Sequence, residues 1–118
     1  MNNISILIIE DEINISEIIK NYLDREGYTI YQSFDGKNAI ESFDKYNPDI
    51  IILDLILPDI LGTEACRVIR ENSNVYIVML TGKSDEMIVV QGLNIGADEY
   101  ITKSLIGCKN KCYFMKNK

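Results

Sequence analysis

The feature that most restricts what this chain can fold into is the run Ile50-Ile51-Ile52-Leu53, which carries no polar alternation and stops abruptly at Asp54 before Leu57-Pro58 and Gly62. An apolar run this short and this uniform suits a strand covered on both faces, as in the parallel sheet of an α/β domain. A carboxylate closing such a strand stands at the edge where open parallel sheets gather their ligands. A second run of the same kind, Ile4 to Ile9, closes in Glu10-Asp11-Glu12.

Between and after these runs the periodicity alternates. Ile15, Ile18, Ile19, Tyr22 and Leu23 form a helical stripe that Asn14 is placed to cap, and Gly27 lies just past its end. Tyr28–Phe34 has the β-branched and aromatic content of a strand, and Gly36–Tyr46, with Ala39, Ile40 and Phe43 on one side, reads as a second helix. Asn47-Pro48 then turns the chain into the central strand. Ala65, Val68 and Ile69 mark a third helix ending near Asn72-Ser73-Asn74, Val75–Leu80 a fourth strand followed by Thr81-Gly82, and Glu99–Thr102 a fifth strand ending at Lys103. A fourth helix with Met87, Val90 and Leu93 is expected after Ser84 or Asp85, weakened by Gly92 and stopped by Gly96. Five strands alternating with helices predict a doubly wound parallel sheet with right-handed crossovers.

Composition narrows the function classes. With 118 residues, 47% apolar and 25% charged, the chain has material for one domain and no apolar run long enough to cross a membrane. Met1-Asn2-Asn3-Ile4 lacks a basic leader, so cytoplasmic residence is the expectation. Cys66, Cys108 and Cys112 make an odd set that fits free thiols, and without histidine Cys108 and Cys112 are thin support for zinc. The absence of histidine also excludes Ser-His-Asp or Cys-His catalysis, His-ligated metals, and phosphohistidine on this chain. All eighteen acidic residues lie at or before Glu99, whereas Lys103, Lys109, Lys111, Lys116 and Lys118 make the end of the chain basic.

If the strand order is 2-1-3-4-5, the first and third strands are neighbours about 4.8 Å apart, and Glu10, Asp11 and Asp54 converge. Three carboxylates at one point repel, and a hard divalent cation such as Mg²⁺ relieves that repulsion while leaving room for a phosphate oxygen. The fourth and fifth strands bring a hydroxyl, Thr81, and an ammonium, Lys103, to the same edge. Carboxylate nucleophile, metal, hydroxyl and ammonium are the parts that place and neutralise a phosphoryl group in transfer. Taken singly each residue has a plainer use: Asp54 as a turn aspartate, Glu10-Asp11-Glu12 as a helix first turn, Thr81 as a cap, Tyr100 as a half-buried core aromatic and Lys103 as a solvated charge. Their falling together at successive strand ends is what chance explains poorly.

In these residues the sequence resembles the receiver domain of two-component response regulators. The resemblance spans Ile4 to Lys103 and rests on Glu10-Asp11, Asp54, Leu57-Pro58, Gly62, Thr81, Gly96-Ala97-Asp98, Tyr100 and Lys103 in order and spacing. It implies a flavodoxin-like fold with Asp54 as phosphoacceptor, Glu10, Asp11, Asp54 and the Ile56 carbonyl as Mg²⁺ ligands, Thr81 and Lys103 on the phosphoryl oxygens, and Tyr100 as the aromatic switch residue. It further implies a sensor histidine kinase as partner and at most weak autophosphatase activity, with Lys83 and Ile56 placed to tune that reaction. A phosphorylation-dependent homodimer through the face of the fourth helix, the fifth strand and the C-terminal segment is implied too. Residues 84–100 look closest to receivers fused to winged-helix DNA-binding domains, so DNA contact and transcription control are expected only through an output domain absent from this chain.

Two other classes compete. An aspartate-nucleophile phosphatase of the haloacid dehalogenase type needs a second aspartate two positions after the first, where this chain has Ile56. A flavodoxin-like cofactor binder needs a hydroxyl- and glycine-rich phosphate loop after the first strand, where this chain has Glu10-Asp11-Glu12. The resemblance ends at Ser104, where proline and a fifth helix are expected. Residues 105–118 instead form a divergent basic segment with Gly107 where a helix should propagate, and its lysines support no more than weak, salt-sensitive contact with nucleic acid. Residues 1–104 are therefore expected to form the receiver, with the fifth helix divergent or incomplete. Glu12, Asp59 and Lys83 are expected to be surface residues.

Overall fold

The computed structural model describes residues 3–82 and 96–103. The expected fourth and fifth helices, Lys83, Ser104, Cys108, Cys112 and the basic segment lie outside the described residues. Within them, β1 (Ser5–Ile9), α1 (Ile13–Arg25), β2 (Thr29–Ser33), α2 (Gly36–Tyr46), β3 (Ile50–Asp54), α3 (Gly62–Arg70), β4 (Tyr76–Thr81) and β5 (Glu99–Thr102) follow one another. All strand pairs are parallel and the sheet order is β2-β1-β3-β4-β5.

The unbroken apolar strands are explained by burial on two sides. Leu7, Ile9, Ile51, Leu53, Ile77 and Met79 project from one face into a core shared with Ala39 of α2 and Ala65, Cys66 and Ile69 of α3. The intervening Ile6, Ile8, Ile52, Val78, Leu80 and Ile101 project from the other face, against Ile19 and Leu23 of α1. Each such side chain contributes about 1.5–3 kcal/mol on burial. A polar residue at any of these positions breaks one of the two cores.

Helix α2 matches its predicted limits because both ends carry local signals. The Asp35 side chain accepts the Asn38 N–H at 2.8 Å, and Asn47 closes the helix in the left-handed region at φ 48°. Helix α1 departs from expectation. It begins at Ile13 with Glu12, not Asn14, at the cap position, and without a side-chain cap. Glu12 N–H is instead held by Glu10 Oε2 at 2.9 Å, and its carbonyl accepts Ser16 N–H, which starts the helix two residues early. The buried face is also rotated. Ser16, Ile19 and Leu23 are buried while Ile18 is 46% exposed. Ser16 is tolerated inside because its hydroxyl accepts Gln32 Nε2 at 2.8 Å.

Candidate functional site

Parallel packing brings the carboxyl ends of β1, β3, β4 and β5 to one edge. Ile9 pairs with Leu53, Asp54 with Leu80, and Thr81 with Thr102, so Glu10, Asp54, Thr81 and Lys103 emerge side by side. Glu10, Asp11 and Asp54 each place a carboxylate oxygen within 4.8 Å of the others. Asp54 is 1% exposed and Glu10 fully buried, whereas Asp11 faces solvent. Asp54 is thus no exposed turn aspartate, and Glu10 lies at a strand end, ahead of the first helical turn.

The two buried carboxylates differ in how far they are satisfied. Asp54 Oδ1 accepts Ile56 N–H at 3.2 Å and Asp54 Oδ2 accepts Lys103 Nζ at 3.1 Å. Glu10 Oε2 is used by Glu12 N–H, but Glu10 Oε1 has no hydrogen-bond donor and only the charge of Lys103 Nζ, 3.3 Å away. Burial drives the Glu10 pKa up to about 7, with the Asp54 charge adding to the rise and the Glu12 amide and Lys103 opposing it. Burial raises Asp54 as well, against the pull of Lys103. Burial disfavours the charged form of Lys103, yet the two carboxylates outweigh it and raise its pKa. An orphaned buried oxygen beside two further carboxylates is the donor set of a hard divalent cation, so the residues present fit one.

Thr81 is buried at the end of β4, one strand from Asp54. Tyr100 is half-buried and packs against the core shared by α2 and α3, where burial, and then the neighbouring Cys66 thiol, push its pKa up to about 12. Ile56 sits exposed in the loop after Asp54, and Gly62 N–H closes that loop on Leu55 O at 2.6 Å. A side chain at Gly62 has no room, since a Cβ there falls 2.2 Å from Asp54 O.

This chain matches the family model for the response regulator receiver domain over residues 6–107. It is a response regulator receiver. The receiver is 44% identical over 98 residues to the regulatory protein VanR of Enterococcus faecium, a match covering 83% of this chain and 42% of that relative's length. Its fold is similar to the BeF3-activated N-terminal receiver domain of Klebsiella pneumoniae RstA, with a TM-score of 0.81 and 30% identity over 85% of this chain and 86% of the other. The receiver domain of a Francisella response regulator superposes with a TM-score of 0.80 at 28% identity, over 86% and 85% of the two chains. The phosphatase and flavodoxin-like alternatives give way to this assignment. Receivers belong to a family of phosphorylation-dependent switches, phosphorylated by sensor histidine kinases.

Two residues of the receiver went unrecognised in the sequence. Asp59, expected to be only a surface residue, is exposed but accepts Gly36 N–H at 2.7 Å and Lys37 N–H at 2.9 Å. Arg70 joins Gly96 O at 2.9 Å, Val75 O at 2.6 Å and Asp98 Oδ2 at 2.8 Å, tying α3 to the approach to β5. Arg70 gave no distinguishing signal, because Arg67 is an equivalent guanidinium in the same last turn of α3. Asp59 gave none either, since its partners lie 23 and 22 positions away. Among the described residues no helix is long and apolar enough to cross a membrane.

Proposed function

We propose that Asp54 accepts a phosphoryl group from the phosphohistidine of a sensor histidine kinase and that the receiver changes conformation in response. The observation that carries this reading is the buried Asp54 carboxylate, within 4.8 Å of Glu10 and Asp11 oxygens and 3.1 Å from Lys103 Nζ. An Asp54 oxygen attacks phosphorus, the P–N bond breaks, and its electron pair returns to the imidazole nitrogen of the kinase. Glu10, Asp11, Asp54 and the Ile56 carbonyl would hold Mg²⁺, which supplies charge neutralisation for the carboxylates and the incoming phosphoryl oxygens. Lys103 stabilises the acyl phosphate once formed, and the Thr81 hydroxyl donates to a phosphoryl oxygen. Movement of Thr81 toward Asp54 gives Tyr100 space to turn further inward, reshaping the surface around β5.

The chain spans 42% of the length of the VanR relative. In this reading control of transcription would run through an output domain outside residues 1–118. Residues 1–104 then form the receiver and 105–118 a basic segment, the protein works in the cytoplasm with its kinase, and phosphorylation favours a homodimer through the β5 face. Hydrolysis of the aspartyl phosphate is slow. Intact mass after acetyl phosphate and Mg²⁺ tests the central step. Wild type should gain one alkali-labile phosphoryl group and Asp54→Ala none; equal labelling of the two refutes the assignment.

A further inference from the structure

The loop from Asp54 to Gly62 is fastened at three places. Its base is closed by Gly62 N–H on Leu55 O, Ile56 and Leu61 bridge across it, and its tip is held by Asp59 on helix α2. Asp59 Oδ1 takes the Gly36 N–H and Oδ2 the Lys37 N–H, while Asp35 serves Asn38. Three amides that a helix leaves without intrahelical partners are therefore filled, two of them by a residue of the phosphoacceptor loop. The contact is also close on the apolar side. A Cβ at Gly36 falls 2.3 Å from Ile60 Cγ1 and 3.0 Å from Asp59 Oδ1, so the loop rests directly on the bare backbone of α2. The two amides hold the Asp59 carboxyl below its ordinary pKa, keeping the clamp charged at neutral pH.

We propose that Asp59 is a positioning residue, which through α2 fixes the loop after Asp54 so that the Ile56 carbonyl stands at the height where it and the Asp54 carboxylate meet a cation. The inference rests on the metal-dependent acceptor reading above. It is tested from both sides of the contact, with Asp59→Ala, Asp59→Asn and Gly36→Ala. Gly36→Ala crowds Ile60 and Asp59 and so pushes on the loop without removing any carboxylate from the chain, which separates positioning from charge.

Calorimetric titration with Mg²⁺ should show affinity about tenfold weaker in Asp59→Ala and in Gly36→Ala, with labelling at saturating Mg²⁺ within about twofold of wild type. Amide hydrogen exchange at Ile56 should quicken in both. Asp59→Asn, which keeps one acceptor oxygen, should fall between wild type and Asp59→Ala. Weaker binding in Asp59→Ala with wild-type binding in Gly36→Ala reduces the effect to charge and overturns the proposal. A lowered melting temperature with unchanged Mg²⁺ affinity and unchanged exchange at Ile56 makes Asp59 a helix cap and nothing more, which overturns it too. If wild type binds Mg²⁺ but takes no label, the acceptor reading falls alone and the clamp is judged on the titration and exchange data. If wild type binds no Mg²⁺, both fall.

Discussion

Lys103 Nζ lies 3.1 Å from Asp54 Oδ2 although the two residues are 49 positions apart, so the end of β5 supplies the cation that partly neutralises the end of β3. The same ammonium is 3.3 Å from Glu10 and 3.7 Å from Glu12, one positive charge shared by three carboxylates. Lys103→Ala should therefore bind Mg²⁺ more tightly, by roughly three- to tenfold after allowance for solvent screening at this partly exposed site. It should still couple phosphorylation poorly to any change at the β5 face. Weaker Mg²⁺ binding in a calorimetric titration contradicts this picture.

Glu10 makes the metal-free receiver sensitive to pH. Its folded pKa, raised from 4.5 to about 7, means the folded protein holds a proton that the unfolded chain gives up earlier. Stability from this group is fully present below pH 4.5 and is lost as pH rises through about 7. Thermal unfolding in chelator should thus show wild type losing ground to Glu10→Gln across that window, with the gap shrinking when Mg²⁺ is added. A gap independent of pH rules out the buried charge as its cause.

Arg70 should matter for stability more than its position at the end of α3 suggests. Removing the side chain leaves the Gly96 and Val75 carbonyls and the Asp98 carboxylate without their guanidinium, and Asp98 also receives Ile77 N–H at 2.8 Å. Arg70→Ala should cost about 2–3 kcal/mol in urea unfolding. Arg70→Lys should recover less than half of that, because an ammonium cannot reproduce the planar fork. A lysine variant as stable as wild type contradicts the multidentate role.

The link from acceptor to surface is proposed to run through Thr81. Thr81→Ala should accept phosphate on Asp54 but show little rearrangement of Tyr100 in tyrosine-selective NMR with beryllofluoride as the phosphoryl mimic. A modification shifts a two-state equilibrium only by what it contacts differently in the two states, so the lost hydroxyl must carry the bias. Equal movement of Tyr100 in variant and wild type disproves the link.

How far the sequence reached depended on the range of the physics involved. The continuous Ile and Leu runs, the helical stripes, the Asn47-Pro48 turn after α2 and the limits of β5 are all local, and periodicity with burial on two faces was enough to give a parallel sheet, whereas its order was implied by the resemblance to receiver domains. Glu10, Asp11, Asp54, Thr81 and Lys103 were legible because each closes a strand, and parallel pairing carries strand ends to one edge. The phase of α1 was not legible. Ser16 and Ile18 are decided by what faces them across the helix, here Gln32 on β2 and open solvent. The depth of Glu10, with one oxygen left without a donor, depends on the packing of four strands rather than on its own neighbours. Asp59 against Gly36 and Arg70 across Gly96, Val75 and Asp98 came from tertiary structure alone, because a carboxylate or a guanidinium in a loop or at a helix end has no periodicity. Its partner is chosen only when the folded chain brings unfilled backbone groups within reach.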